Sequence, residues 1–428
     1  LYIALLKRIF NKLYFKLLFI FSLLKQFMKI GIIGKPNIGK SSFFKAATMT
    51  DIEIQNYPFT TIKPNIGVAY VRAECPAENF FKVKCNPQHG FCIDGQRFVP
   101  FELVDVAGLV PGAAEGKGLG NLFLDDLSNV DALIHIIDIS GSTNMQGEII
   151  EVGKNDPVED VKFIEKELDD WYFNIFMRGK TKIERQLRLM ATDTPVEKFI
   201  AEHFSGLNVR EKQVIDAITK SNLKGKLITL WSDDEYKTFT KNLRLISKPM
   251  VFAANKIDIK SSESNFNRLV STFPQYSFIP TCALAEIQLR FAEKQKIIKY
   301  VPGDNDFQIL EPNKLTDQQK QGIEKIRTIM QKVNGTGVQQ TLNFAVFNLL
   351  KYKIIFPGGV NKLEDSKGNV MPDAFLMPPN ATTLDFAYKL HTDFGDNFIG
   401  AIDVKKKQKI GRETVLNNGD VIEILSSK

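Results

Sequence analysis

The sequence is poor in cysteine, with four in 428 residues and no CxxC pair among them. Disulfide-stapled chains and standard zinc knuckles carry more cysteine at closer spacing. Four thiols in so long a chain, without a secretory leader, point to a reducing compartment, so a cytoplasmic location is expected. Long apolar runs are scarce at the start of the chain. In residues 1–27, rich in Leu, Phe, Ile, Tyr and Lys, the longest uncharged run is Leu17 to Leu24, too short to span a bilayer. No small-residue cleavage site accompanies it to suggest a signal peptide. No membrane partner is expected. Excess positive charge is also scarce outside this segment. Five of the seven net positive charges sit on Lys7, Arg8, Lys12, Lys16 and Lys25, so general nucleic-acid affinity does not follow from the total. Met28 stands directly before the first strand pattern. Residues 1–27 are therefore read as a mis-translated leader rather than an interfacial basic helix.

What is present begins with Gly34-Lys35-Pro36-Asn37-Ile38-Gly39-Lys40-Ser41, a GxxxxGKS string. It lies between a strand pattern over Lys29 to Ile33 and a helix pattern over Ser42 to Thr48, the context a phosphate-binding loop requires. Backbone N–H groups of such a turn cradle phosphates. Lys40 would neutralise the β- and γ-phosphates, and Ser41 would hold Mg2+. Further elements follow in order. Thr60-Thr61 lie in a loop after Pro58, where a switch threonine completes the Mg2+ shell. The strand Phe101 to Val104 delivers Asp105-Val106-Ala107-Gly108. This DxxG places Asp105 on Mg2+ through water and the Gly108 N–H on the γ-phosphate. Asn255-Lys256-Ile257-Asp258, an NKxD, follows a strand over Pro249 to Ala253. Asp258 can accept hydrogen bonds from the guanine N1–H and N2–H2 edge, which adenine does not offer. Cys282-Ala283-Leu284 fits a loop whose backbone reads the guanine O6. DxxG and NKxD are each weak alone; at strand ends, in this order, after a P-loop, they are strong. The nucleotide-binding set is thus Gly34, Asn37, Ile38, Gly39, Lys40, Ser41, Ser42, Thr61, Asp105, Gly108, Asn255, Lys256, Asp258, Cys282 and Ala283.

These motifs carry a family resemblance. Asn56-Tyr57-Pro58-Phe59-Thr60-Thr61-Ile62-Lys63-Pro64-Asn65 resembles switch I of the Obg superfamily of translation GTPases. Asp105 to Gly112 and Gly118-Leu119-Gly120-Asn121 resemble switch II of its YchF branch, in the archaeal and fungal sub-branch that keeps NKxD. The resemblance covers residues 28–428 and implies that Thr61, rather than Thr60, is the Mg2+ threonine. Typical YchF proteins have glutamate at the last NKxD position and favour ATP; Asp258 departs from that pattern and favours GTP, with ATP use as the alternative. Ras-like enzymes orient the attacking water with a glutamine after DxxG. Here that position is Leu109, the hydrophobic substitution the superfamily implies. Ala114 falls where YchF relatives often have histidine. No catalytic residue is assigned, and turnover is expected to be slow. Asn37 occupies the position that binds K+ in potassium-stimulated GTPases, or is simply a turn-forming Asn.

The expected fold is α/β: a P-loop G domain with a doubly wound, mainly parallel sheet, a coiled-coil-like helical insertion and a C-terminal β-grasp module. The G domain is assigned to 28–156 and 246–352, the insertion to 157–245 and the C-terminal module to 353–428. Val161, Ile164, Leu168, Trp171 and Ile175 recur at helical spacing. Further helical stretches are read at Thr181 to Met190, Val196 to Phe204 and Val209 to Lys220. They predict an antiparallel pair projecting from the sheet, as in YchF relatives. Between the switches, residues 72–100 read as an extended β-hairpin carrying Cys75, Cys85, His89 and Cys92. These three thiols and an imidazole could form a tetrahedral zinc site, but the spacing favours buried structural cysteines. Near the C-terminus, Thr383-Leu384-Asp385-Phe386-Ala387, His391 and Asn418-Gly419-Asp420 resemble a TGS domain, which implies RNA or ribosome association. The cluster Lys405, Lys406, Lys407, Lys409 and Arg412 could meet phosphate or simply be solvated.

Overall fold

Apolar runs of strand length alternate with helix patterns along the chain, and in the computed structural model the first seven such runs form one sheet. The structure describes residues 28–48, 65–106, 126–189 and 196–427. The leader assigned to 1–27 lies outside the described residues, as do Thr61, Gly108, Leu109 and Ala114.

The strands are β1 (Lys29–Ile33), β2 (Ile66–Glu74), β3 (Phe91–Ile93), β4 (Gln96–Asp105), β5 (Ala132–Asp138), β6 (Met250–Asn255) and β7 (Phe278–Thr281). Their order is β2-β4-β1-β5-β6-β7, with β3 also beside β4. β2 and β3 run antiparallel to β4; the other pairs are parallel. Parallel strands are buried on both faces and read as unbroken apolar runs. In β5, Leu133 and Ile137 face one core while Ile134 and Ile136 face the other. The helix Lys40–Thr48 follows the P-loop and buries Phe43, Ala46 and Ala47.

The insertion differs from its expected form in two ways. A single helix, Pro157–Leu189, runs 33 residues without the expected interruption, about 50 Å at 1.5 Å per residue. The apparent break, at Arg178-Gly179-Lys180, has another cause. A Cβ on Gly179 would stand 2.3 Å from the His203 ring, and His203 Nε2 lies 2.7 Å from the Ile175 carbonyl oxygen. Glycine here permits close contact between helices. Secondly, a helix over Asp233–Ser247 escaped the periodicity reading. Its signal is Ser232-x-x-Glu235, a reciprocal capping box in which Ser232 Oγ accepts from Glu235 N–H at 3.3 Å and Ser232 N–H donates to Glu235 at 2.7 Å. With Val196–His203 and Glu211–Lys220, these make four helices. Leu168, Phe176, Phe204, Trp231 and Phe239 share one core with Leu133, Ile137 and Phe252 of the sheet. The insertion is therefore packed into the sheet's own core rather than being a simple projecting pair.

The expected hairpin over 72–100 is also modified. β2 and β4 pair from Glu74↔Gln96 to Ile66↔Val104. Between them the chain makes an excursion with a one-turn helix, Pro76–Asn79, and the short β3.

Beyond β7, a two-stranded ribbon of β8 (Ile298–Lys299) and β9 (Gln308–Ile309) precedes helices Asp317–Val333 and Val338–Asn343. The last sheet contains β10 (Lys353–Pro357), β11 (Phe375–Met377), β12 (Phe398–Asp403), β13 (Gln408–Ile410) and β14 (Val421–Ser426), in the order β11-β10-β14-β12-β13. The central pair β10–β14 is parallel, and helix Thr383–Leu390 supplies Phe386 to one face, against Ile355, Ala401 and Ile422. This is the expected β-grasp arrangement. Residues of alternate parity, Ile354, Phe356 and Val421, join the core under the first sheet. His391 caps two helices, its Nδ1 accepting from Asp393 N–H at 3.2 Å.

Candidate functional site

The sheet order places the ends of β1, β5 and β6 side by side, with Ile33 opposite His135 and Asp138 opposite Asn255. Loops leaving the carboxyl ends of parallel strands form the usual ligand crevice of such folds. The P-loop leaves β1 here. Asn37 and Gly39 have φ of +62° and +95°. A Cβ on Gly39 would lie 2.2 Å from Asn255 Nδ2, so glycine is required for the loop to close on the NKxD strand.

Asn255, only 4 % exposed, joins three segments. Its Nδ2 donates to the Ile38 carbonyl at 2.9 Å, and its Oδ1 accepts from the Ala283 N–H at 3.1 Å. The P-loop, the end of β6 and the start of helix Ala283–Lys294 are thus held by one amide. Lys256, at φ +67°, folds back over the P-loop. Its Nζ reaches Asp138 Oδ2 at 2.9 Å, Ser142 Oγ at 3.0 Å and the Asn37 carbonyl at 3.4 Å. Asp258 is exposed, and Cys282 Sγ donates to its Oδ1 at 3.2 Å. Burial and the neighbouring Asp258 push the Cys282 thiol up to about 12, so it stays protonated as a donor. The sequence reading gives the backbone of Cys282 and Ala283 to the guanine O6. In the structure, Cys282 N–H donates to the Thr336 carbonyl at 2.8 Å and Ala283 N–H to Asn255. Both are engaged within the protein.

Lys40 opens the helix after the P-loop, and its Nζ is paired with Asp105 and donates to the Val106 carbonyl at 2.9 Å. Asp105 sits opposite Ile32 in the β1–β4 register, level with the start of the P-loop. Ser41 and Ser42 are the next residues of that helix, Ser41 exposed. A hydroxyl and a carboxylate flanking a phosphate loop form a hard oxygen set of the kind Mg2+ takes, so the described residues fit that ion. Asn37 Nδ2 donates to the Gly147 carbonyl at 2.9 Å.

The sequence reading missed Asp138, at the end of β5. It is fully buried, and hydrogen bonds converge on it from Ser140 Oγ at 2.5 Å, Ser142 Oγ at 2.8 Å and Thr143 Oγ1 at 2.6 Å. Burial alone would raise its carboxyl, but hydrogen bonds from Ser140, Thr143, Lys256 and Ser142 outweigh it and hold the group below the usual carboxylate range. The available signal was the run Asp138-Ile139-Ser140-Gly141-Ser142-Thr143, hydroxyls crowded after an acid at a strand end. Lys35, also unassigned, is buried and bonds Asp160 Oδ1 at 2.7 Å and the Thr143 carbonyl at 2.8 Å. Burial drives His135 down to about 3, with Lys35 adding to the effect, so it is a neutral core residue.

The remaining candidates separate. His89 does not join the cysteines: its Nδ1 lies 2.6 Å from Asp373 Oδ1. Glu78 stands with Cys75, Cys85 and Cys92 instead. In the C-terminal basic cluster, Lys405 donates to the Gly419 carbonyl at 2.7 Å and Lys406 pairs with Asp403 at 2.7 Å. Lys407, Lys409 and Arg412 are exposed. No helix among the described residues is long and apolar enough to cross a membrane.

Comparison with known proteins agrees with this geometry. Residues 29–166 match the model of the 50S ribosome-binding GTPases, residues 253–359 that of the G4 motif-containing domain of YGR210-like Obg-like GTPases, and residues 367–426 the TGS domain. The GTP-binding protein MJ1332 of Methanocaldococcus jannaschii is 44 % identical over 402 residues, covering 93 % of this chain and 99 % of that one. The crystal structure of a GTP-binding protein from Pyrococcus horikoshii is 35 % identical, with a TM-score of 0.73 over 94 % of this chain and all of the other. The Bacillus subtilis protein named ribosome-binding ATPase YchF is 26 % identical over 92 % of this chain and 97 % of its own length. With a P-loop, an NKxD strand end and a TGS module in one chain, the protein belongs to the YchF-related, Obg-like family of GTP-binding proteins.

Proposed function

We propose that this protein binds GTP with Mg2+, hydrolyses it slowly and acts as a nucleotide-dependent switch in translation, through the ribosome or an RNA. The observation that carries this reading is the Asn255 amide, which links the P-loop to the segment where Cys282 orients Asp258. In this reading, P-loop N–H groups from Gly34 to Ser42 and the Lys40 ammonium hold the phosphates, while Asp258 accepts from the guanine edge. Ser41, Thr61 and, through water, Asp105 hold Mg2+, which would supply charge neutralisation between the β- and γ-phosphates. Thr61 and Gly108 sense the γ-phosphate. The Leu109 side chain has no hydrogen-bonding atom for the attacking water, so turnover should be slow. The helical insertion and the TGS module are the surfaces that report nucleotide state, and exposed Lys407, Lys409 and Arg412 are the residues with which the module would meet RNA phosphate.

Labelled GTP should be displaced by GDP and not by ADP, and ribosome co-sedimentation should differ between GDP and a non-hydrolysable GTP analogue. Equal co-sedimentation in both states removes the switch. The name of the Bacillus subtilis relative favours a second reading, an ATPase acting through protein partners; displacement by ADP and not GDP would establish it.

Asn37 supports a further part of the reading. Its Nδ2 is engaged by Gly147, which leaves its Oδ1 to meet a cation beside the phosphates. Hydrolysis is expected to run several-fold faster in KCl than in NaCl, because a bound K+ supplies the positive charge an arginine finger otherwise brings. Asn37→Ala should erase the difference. Equal rates for the unmodified protein end the potassium assignment.

A further inference from the structure

The excursion between β2 and β4 is poor in the usual means of holding a fold. Cys75, Pro76, Ala77 and Cys85 are buried, whereas Phe80 and Val83 are exposed by 53 % and 41 %. Its regular structure is one helical turn and a three-residue strand. Lys82, Gly90, Asp94 and Gly95 all take positive φ. Phe81 packs on the core under the first sheet and Phe91 stacks on Phe98, but a segment with so little regular structure gains from a further staple.

Four side chains from separate parts of the excursion converge on one point. Cys75 follows β2, Glu78 lies on the helical turn, Cys85 is in the following loop and Cys92 is on β3. Their three sulfurs and a carboxylate oxygen all lie within 4.8 Å of one another. Cys75 Sγ is 3.6 Å from Cys85 Sγ, and Glu78 Oε1 is 3.5 Å from Cys85 Sγ and 3.3 Å from Cys92 Sγ. A tetrahedral Zn2+ with Zn–S near 2.3 Å and Zn–O near 2.1 Å has S···S edges of about 3.8 Å and S···O edges of about 3.6 Å. These three edges fall within about 0.3 Å of those values, and the other three are no longer than 4.8 Å. The cysteines are free thiols, not a disulfide. We infer that Cys75, Cys85, Cys92 and Glu78 form a structural zinc site.

The charge balance fits this assignment. Three thiols lose their protons to solvent on binding, so the site would hold three thiolates and one carboxylate around a dication. Arg97 is fully buried and pairs with Cys92 across the β3–β4 register, which puts both side chains on one face. Its guanidinium supplies positive charge beside the cluster. With all four positions taken by protein, the site is closed, as structural zinc sites are.

The site holds more than its own loop. Asn86 N–H donates to the Val370 carbonyl at 2.9 Å and Gln88 N–H to the Pro372 carbonyl at 2.9 Å. Arg97 donates to the Met371 and Pro372 carbonyls at 3.2 and 2.8 Å. His89 meets Asp373. The metal therefore fixes the platform on which the segment leading into the C-terminal module rests.

The test is metal analysis of the full chain purified without chelator, followed by exchange into Co2+. One zinc per chain is expected, and the cobalt form should show thiolate-to-metal charge-transfer absorption with the intense visible bands of a tetrahedral site. Cys85→Ser should lose the zinc, Glu78→Gln should weaken its retention against a chelator, and His89→Ala should keep it. Stripping the metal should speed hydrogen exchange at residues 369–373. A folded, unmodified chain that carries no zinc and gives no cobalt charge-transfer band overturns the assignment. So does a Cys75–Cys85 disulfide in protein purified under reducing conditions, or loss of metal from His89→Ala but not from Glu78→Gln. The cobalt spectrum of the unmodified chain decides the matter even if Cys85→Ser does not fold.

Discussion

Asp258→Asn is expected to transfer nucleotide preference from guanine to xanthine. The carboxylate can accept from both N1–H and N2–H2 of guanine; an amide offers one acceptor and one donor, which suit N1–H and the C2 oxygen of xanthine. The amide oxygen still accepts from N1–H, but the bond to N2–H2, about 1.5–3 kcal/mol when charge-assisted, is replaced by two facing donors, so GTP affinity should fall by at least roughly 10- to 10^2-fold. XTP affinity should rise at the same time. Asp258 is exposed and its protein contact is one thiol hydrogen bond that an amide oxygen can also accept. Stability should therefore be unchanged. Titration with fluorescent GDP and XDP, with a urea unfolding curve as control, checks all three statements. Unaltered GDP affinity in a folded variant would remove Asp258 from base recognition and reopen the adenine reading. The test is clean because the anchoring residue, Asn255, is left in place.

The contrast between Asp258 and Asp138 shows what a sequence can and cannot disclose here. Lys40, Asp105, Asn255 and Asp258 sit in short strings at the ends of apolar runs, and local spacing is enough to find them. Their neighbours in space are another matter. Asp138 gains its role because β5 lies between β1 and β6, a fact of strand order that no local string records. Only then do the P-loop carbonyl of Asn37 and the acid of β5 meet the same lysine. The excursion between β2 and β4 repeats the lesson. Its three cysteines were visible, but His89 lies closer in sequence to Cys92 than Glu78 does, and it was the natural fourth partner by residue type. The chain path instead turns His89 toward Asp373 and brings Glu78 back. Periodicity fared well for the stripe Val161 to Trp171, and failed at Gly179, where a glycine inside a helix serves contact with His203. The β-grasp module was legible because Thr383-Leu384-Asp385-Phe386-Ala387, His391 and the turn Asn418-Gly419-Asp420 stand in short local strings, whereas the Thr382–Asp385 cap and the division of its strands between two cores show only in the structure.

Asp138→Ala should destabilise the protein by about 1–3 kcal/mol for each buried hydroxyl left without its acceptor; Lys256, 26 % exposed, can turn to solvent. Lys256 would lose its carboxylate, and Ser140, Ser142 and Thr143 would lose the acceptor on which their hydroxyls converge. Thr143 also holds Lys35 of the P-loop through its carbonyl, so guanine nucleotide affinity should fall with stability. Asp138→Asn separates the two effects. The amide keeps an acceptor oxygen for the hydroxyls, so the chain should fold, but Lys256 is no longer held by charge over Asn37. Affinity for GDP should then drop about tenfold, the loss of roughly 1.4 kcal/mol of positioning. Acid titration gives an independent readout. The folded state holds Asp138 below the ordinary carboxylate range, so the unfolded chain takes up this proton first. Its stabilisation is complete above the unfolded value near pH 4 and is lost as pH falls through the lower, folded value. Urea midpoints measured from pH 6 downwards should therefore fall more steeply below about pH 4 for the unmodified protein than for Asp138→Asn. Parallel acid slopes, with an unchanged GDP affinity, would mean that Asp138 carries no charge interaction with Lys256. The position would then be a hydroxyl-capped strand end and nothing more.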